Sequence, residues 1–276
     1  MQTFSLNCQG KLLVIDKPVV MGIINATPDS FFAGSRHQAI DDALKAATQM
    51  LEEGAAILDI GGQSTRPGSR PLPANEEIAR VVPLVAAIRL RFPDAVISID
   101  TYHSETAKAA VEAGAAIVND ISGGSFDQQM LSTVAALRVP YVCMHLKGTP
   151  ETMHQPAAYG DLVQDVLDYF IQKTEECRQQ GIHDLIVDPG FGFSKNIGQN
   201  FDLLKRLECL SVLRKPVLLG ISRKSTVYKT LGITAEQALN GTTVLHTAGL
   251  LKGAAILRVH DVREAVEAVE LTRLLM

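Results

Sequence analysis

Eight short apolar runs recur along the chain at a mean spacing of about 34 residues, the length of one strand-plus-helix unit. They are VVMGIIN from Val19, AAILDIGG from Ala55, VISIDT from Val96, AAIVNDIS from Ala115, PYVCMH from Pro140, DLIVDPG from Asp184, PVLLGIS from Pro216 and AAILRVHD from Ala254. Near-continuous apolarity over about five residues suits strands covered on both faces, as those of parallel sheets are. Helical patterns fill the gaps. Ile78, Val81, Val82, Val85 and Ile88 repeat at helix spacing, as do Leu162, Val163, Val166, Leu167 and Phe170. Three near-repeats, EEGAAILDI, EAGAAIVND and LKGAAILRV, place a glycine ahead of a strand, where a left-handed residue stops the preceding helix. Strict alternation of eight units predicts a (β/α)8 TIM barrel. A doubly wound open sheet is the alternative, but it more often breaks the alternation. The opening MQTFSLNCQGKLLVID alternates polar and apolar residues and predicts a β-hairpin cap turning at Gln9-Gly10. No low-complexity segment or linker interrupts residues 1–276, so a single domain is expected.

Charge and cysteine usage narrow the function classes. A net charge of −4, with no run of five like charges, argues against a nucleic-acid partner. Cys8, Cys143, Cys177 and Cys209 lie far apart and form no CxxC pair, which is reduced-compartment usage. The N-terminus lacks the basic and long apolar regions of a signal peptide, and no apolar stretch approaches the ~18 residues of a membrane span. A cytoplasmic location without membrane attachment is expected.

The runs end alike: in Asn25, Asp59, Asp100, Asn119 with Asp120, His145, Asp188, Ser222-Arg223-Lys224, and Arg258 with His260. In a barrel those ends meet on one rim, where barrel active sites lie. Helix capping explains any one of them alone. Lys and Arg are poor N-caps, so strands seven and eight argue hardest for a site. Asp100, Asn119 and Asp188 form a hydrogen-bonding group suited to an amidine-like edge, such as the 2-amino edge of a pterin or guanine. Arg66, Lys224, Arg258 and His260 form a cluster of cations rich in donors, an anion pocket suited to phosphate or pyrophosphate. Metal ligation is the rival use of Asp100, Asp188, His145 and His260, although these are sparser than a metal centre prefers. Met144 and Phe193 fit either stacking on a flat ring or ordinary packing. DIGGQSTRPGSRPLP, from Asp59, reads as a long solvated connector or a clamp for an anion.

At this point MGIINATPDSFF, LDIGGQSTRPGS, SIDT, IVNDISGG, MHLKGTPETM, DPGFGFSKN, GISRKS and RVHD resemble, in order and from Met21 to Asp261, the dihydropteroate synthase family of bacterial folate synthesis. The resemblance implies a pterin-binding barrel that joins p-aminobenzoate to 6-hydroxymethyl-7,8-dihydropterin pyrophosphate, through a carbocation, with Mg2+ accompanying the pyrophosphate. It implies that Asp100, Asn119 and Asp188 hold the pterin edge, with Lys224 on the carbonyl side, Asp59 deeper on the same wall, and Met144 and Phe193 on the ring's faces. Asn25, Thr65, Arg66, Arg258 and His260 would hold the pyrophosphate, with Asn25 also at the metal. Phe31, Pro67, Lys224 and Ser225 would bracket p-aminobenzoate, the site that sulfonamides imitate. Thr65, Arg66, Lys224, Arg258 and His260 are thereby the expected catalytic group, acting by electrostatics and positioning. Two mobile loops, over residues 26–36 and 63–73, are implied to close over the substrates, and a homodimer is implied as the assembly.

The pattern has departures. Ala33 stands where the first loop commonly carries an acid, which puts direct ligation of Mg2+ by that loop in question; Asp29 or Arg36 would have to compensate. Gln63 replaces a common Glu, and Ser194 a common Gly. A methyltetrahydrofolate-binding methyltransferase barrel would share the pterin wall but needs no pyrophosphate pocket, so STRPG, SRKS and RVHD favour the synthase. A non-catalytic pterin-binding paralogue rests on Ala33 and Gln63 alone.

Overall fold

The computed structural model describes residues 2–26, 36–63 and 71–275. The chain opens with β1 (Phe4–Cys8) and β2 (Lys11–Ile15), an antiparallel pair in register from Phe4↔Ile15 to Cys8↔Lys11. Gln9 and Gly10 both take positive φ, 53° and 85°, the two-residue turn whose twist matches a hairpin. Eight parallel strands follow: β3 (Val19–Asn25), β4 (Ile57–Gly61), β5 (Val96–Asp100), β6 (Ile117–Asp120), β7 (Tyr141–Met144), β8 (Leu185–Asp188), β9 (Leu218–Leu219) and β10 (Ile256–Val259). Each pairs with the next in chain order, except that β8 and β9 meet through one bridge, Val187↔Val217; β10 returns to β3. The expected (β/α)8 barrel with its hairpin cap is the fold.

Helices α1 (Arg36–Glu52), α2 (Ala74–Arg91), α3 (Ser104–Glu112), α4 (Met130–Leu137), α5 (Leu162–Gln180) and α6 (Ile197–Lys205) follow β3 to β8 in turn. A 3-10 segment over Leu207–Leu213 leads to β9. Two helices, α7 (Ser225–Leu231) and α8 (Leu239–Leu251), separate β9 from β10, so strict alternation breaks there; α9 (Val262–Arg273) follows β10. The three repeated glycines, Gly54, Gly114 and Gly253, adopt φ of 100°, 119° and 92°, ending α1, α3 and α8 before the next strand. Among the described residues no helix is long and apolar enough to cross a membrane.

Period-two alternation divides each strand between two environments. Val20, Leu58, Ile97, Val118, Tyr141, Leu185, Leu219 and Leu257 point outward into the core shared with the helices. Met21, Ile57, Val96, Ile117, Val142, Ile186, Leu218 and Ile256 form a separate apolar layer with Leu6, Cys8 and Ile15 of the hairpin. The hairpin therefore plugs the N-terminal end of the barrel, where burying each such aliphatic side chain contributes about 1.5–3 kcal/mol. Inward positions further along the strands carry the polar residues, at the opposite end.

Candidate active site

Every second residue beyond the plugged layer brings a functional group to the C-terminal rim. Asp59 follows Ile57, Asn119 follows Ile117, Asp188 follows Ile186 and Arg258 follows Ile256, while Asp100 comes four residues after Val96. The strands are in parallel register, Asp59↔Ser98 and Asp100↔Asn119, so these groups converge from different strands without any loop having to fold around them.

Arg258 sits at the centre. Its Nε donates to Asp59 Oδ2 at 2.6 Å and its Nη2 to Asp100 Oδ2 at 2.6 Å. Asp59 Oδ2 also accepts from Asn119 Nδ2 at 3.1 Å. Asp59 is fully buried, so it acts by orienting Asn119 and Arg258 and not by presenting an open carboxylate. A buried carboxylate left unpaired is costly, and the guanidinium supplies the pairing. The cation expected at the pyrophosphate thus lies against two carboxylates of the expected pterin wall. Nothing in the one-dimensional pattern signalled this, because Arg258 is 199 residues from Asp59.

The remaining wall lies on β8 and the turn after β9. Asp188 Oδ1 accepts from Gly190 N at 2.7 Å. Lys224 Nζ donates to Phe191 O at 2.6 Å and stands 4.6 Å from the Phe193 ring centroid. Met144 and Phe193 belong to a small apolar cluster with Tyr102, Ile121 and Met153, separate from both larger cores. Arg223 leaves the site: its guanidinium makes a two-pronged pair with Asp261 at 2.8 Å and reaches the carbonyls of Ala235 and Glu236. Only Lys224 of the Arg-Lys pair faces the rim. Ser225 begins α7, half-buried, and Asn25 is exposed at the end of β3.

Burial and neighbouring charge tune these groups in opposite directions. Burial pushes Asp100 up to about 7; Arg258 opposes that rise, while Asp59 adds to it. Asp188 is raised by burial against the pull of Lys224. Burial lowers Lys224 to about 8, with Asp188 opposing. For Arg258, burial lowers the pKa, but Asp59 and Asp100 outweigh it and the guanidinium stays charged. His260 is exposed to solvent at the rim, and partial desolvation followed by Arg258 pushes it down to about 4. Its Nδ1 lies 3.1 Å from Ser222 Oγ, and the neighbouring Arg258 charge favours the neutral imidazole over a further cation.

His145 turns from the site. Its Nδ1 lies 3.1 Å from Lys195 Nζ, and burial followed by Lys195 lowers it to about 2. The rival metal set of Asp100, Asp188, His145 and His260 is not gathered, and among the described residues no group of three or more His, Cys, Asp or Glu could hold a metal ion. Residues that the sequence reading did not single out include Lys195 and Tyr102. A lysine two residues beyond the apolar GFGF stretch was the available signal for Lys195. Gln63 donates to Tyr102 Oη and accepts from Leu72 N, so it ties the two ends of the connection between β4 and α2. Asp29, Phe31, Ala33, Thr65, Arg66 and Pro67 lie outside the described residues.

The described groups form a wall of three carboxylates and an amide, with Arg258 and Lys224 beside an aromatic ring. It can recognise a flat, donor-bearing heterocycle and an anion attached to it. A family model described as pterin binding enzyme matches residues 21–260. The dihydropteroate synthase of Escherichia coli (strain K12) is 42% identical over 265 residues, covering 95% of this chain and 93% of that one. Two solved structures of Xanthomonas albilineans dihydropteroate synthase are also similar. One, with 4-aminobenzoic acid, has a TM-score of 0.91 at 38% identity, covering 99% of this chain and 98% of that one. The other, in complex with 7,8-dihydropteroate, has a TM-score of 0.87 at 36% identity, with coverage of 99% and 98%.

Proposed function

The chain belongs to the dihydropteroate synthase family of pterin-binding enzymes and is a transferase that condenses 6-hydroxymethyl-7,8-dihydropterin pyrophosphate with p-aminobenzoate; we propose that the rim groups described above carry out this reaction. Asp100, Asn119 and Asp188 hold the donor edge of the pterin, with Lys224 on its carbonyl and Met144 and Phe193 beside its faces. Asp59 acts behind them, fixing the Asn119 amide through the 3.1 Å hydrogen bond. Arg258, His260 and Asn25 face the pyrophosphate, and Ser225 with Lys224 borders p-aminobenzoate. Phe31, Thr65, Arg66 and Pro67 are proposed to complete the substrate pockets from the two loop segments.

The reaction breaks the carbon–oxygen bond to pyrophosphate, and the electron pair leaves with the anion. The methylene carbon, conjugated with the dihydropterin ring, carries the positive charge until the arylamine nitrogen bonds to it and releases a proton. The arylamine is neutral at pH 7 and needs no strong base, so the rim works by charge placement and orientation. Arg258 favours the departing anion, while the carboxylates around it favour the cationic ring that remains. The observation that carries this reading is the Arg258 guanidinium joined to Asp59 and Asp100, because it sets the anion side of the site directly against the pterin side.

A magnesium ion fits the donors present if the substrate holds most of it. Asn25 offers one hard oxygen at the exposed rim, and Mg2+ is commonly bound by few protein ligands together with phosphate oxygens and water. Bound there, the ion would neutralise charge on the leaving group. We also propose a cytosolic homodimer. The free thiols of Cys8, Cys143, Cys177 and Cys209 support the compartment, and exposed Val244 and Leu251, one heptad apart on α8, supply apolar surface for the assembly. The deciding experiment measures pyrophosphate release by the purified protein with dihydropterin pyrophosphate and Mg2+, with and without p-aminobenzoate. Dihydropteroate formed only with all components is the expected result. Tight pterin binding with no product would support the non-catalytic paralogue instead.

A further inference from the structure

The connection between β7 and α5, residues 145–161, has neither helix nor strand, yet it packs beside buried parts of the rim. Its backbone groups need partners, and one residue on the next connection supplies three of them and meets a side-chain hydroxyl as well. Ser194 N donates to Met153 O at 2.7 Å, and Ser194 O accepts from Ala157 N at 2.9 Å. Ser194 Oγ accepts from Lys147 N at 3.1 Å and lies 3.2 Å from Tyr159 Oη. The side chain is fully buried and the residue sits at φ 49°. A non-glycine residue in the left-handed region is strained and persists where its surroundings over-determine it. Glycine would take this conformation freely but could not make the two hydroxyl contacts.

What these bonds hold is the Phe193 ring. His154, on the pinned connection, stacks on that ring at a centroid distance of 5.4 Å and an interplanar angle of 28°. Met153, whose carbonyl Ser194 binds, packs in the same apolar cluster as Phe193 and Met144. Lys195 Nζ holds the Phe193 carbonyl at 3.2 Å and that of Gly190 at 3.0 Å, restraining the backbone from the other side. Lys224 lies over the ring. We propose that Ser194 is a positioning residue for the reaction: its hydroxyl holds the Lys147–Tyr159 segment against Phe193 and so fixes the aromatic wall that the substrates meet. This rests on the reading above that Phe193 lines the substrate pocket.

Steady-state kcat and KM of Ser194→Gly, Tyr159→Phe, the double variant and Phe193→Ala, with dihydropterin pyrophosphate and p-aminobenzoate varied in turn, test it. Ser194→Gly relieves the strained φ while removing two hydroxyl contacts, so a purely structural residue would shift only the melting temperature. The expected result is a KM for the pterin substrate raised about 5- to 30-fold, with kcat changed less than about twofold. Tyr159→Phe leaves the Ser194 backbone untouched and should raise KM about three- to fivefold, and the double variant should be no worse than Ser194→Gly alone. If Phe193→Ala raises KM while both Ser194→Gly and Tyr159→Phe leave it unchanged, the positioning role is overturned and the pocket reading stands. Should Ser194→Gly fail to fold, an unchanged KM in Tyr159→Phe overturns the role by itself. An unchanged KM in Phe193→Ala would overturn the pocket reading on which it rests.

Discussion

Replacing Asp59 by Asn tests whether the rim works as one electrostatic unit. The carboxylate is fully buried; its Oδ2 accepts from Arg258 and Asn119, and its Oδ1 has no hydrogen-bond partner among the described residues. An amide can keep both acceptor contacts through its oxygen and place its NH2 where Oδ1 stood, so the variant removes charge with little change of shape. Leaving that NH2 unsatisfied costs about 1–3 kcal/mol of stability. The electrostatic effect falls on Asp100, which shares Arg258. Two oxygens bound to nitrogens of one guanidinium lie about 5 Å apart, and at an effective dielectric near 20 their charges repel by about 3 kcal/mol, or about two pH units. Arg258 lies between them and screens part of this. Removing Asp59 also leaves Arg258 with Asp100 as its remaining partner in this pair, which favours the Asp100 carboxylate further. Both effects have the same sign. The Asp100 midpoint, about 7 in the native site, should fall by about one to two pH units. Below that midpoint Asp100 is protonated and accepts the pterin edge less well, so kcat/KM for the pterin substrate should lose its acid limb at correspondingly lower pH in Asp59→Asn. An acid limb that stays in place or moves upward would refute the reasoning, provided the melting temperature shows the variant folded.

Two further outcomes follow from named contacts. Burial holds Lys224 near 8, so its charge is lost as pH rises through that value, and kcat/KM should fall on the alkaline side with a midpoint near 8. Lys224→Arg, permanently charged, should abolish that limb while lowering the maximal rate; a limb that survives in this variant assigns it to another group. Tyr141→Phe removes the 2.7 Å hydrogen bond from Tyr141 Oη to buried Asp120 and should cost about 1–3 kcal/mol in chemical denaturation. Burial already raises Asp120, and losing a donor raises it further. The charged form is the one that suffers, so the penalty should be greater in mildly alkaline than in acidic buffer. An equal penalty at both would show that Asp120 is not the group affected.

The fold was legible because its determinants are local. Apolar runs at one spacing, glycines that must take positive φ, and the Gln9-Gly10 turn each follow from steric rules acting over a few residues. The split of α7 from α8 was less legible, since β9 contributes only Leu218 and Leu219 to the sheet and the segment beyond it carries no distinct strand signal. The rim could also be read from the chain, because a period of two places the last inward residue of each strand at the same end of a barrel. Charge state was less accessible. His260 as a free side chain titrates near neutrality, and only its place beside Arg258 shows that the neutral form is favoured. Arg223 and Lys224 are adjacent and equally basic, yet the φ of 52° at Arg223 accompanies its turn toward Asp261 while Lys224 reaches Phe191.

By itself the sequence determined which residues could do the chemistry and which end of the barrel they would occupy, since propensity and periodicity act along the chain. Tertiary structure alone decided which of them touch. Arg258 finds Asp59 and Asp100 across 199 and 158 residues, and Ser194 reaches back 47 residues to Lys147. Such pairings depend on barrel closure and on burial, which set the partners and the dielectric together. Those two quantities fix the protonation of Asp100, Lys224 and His260.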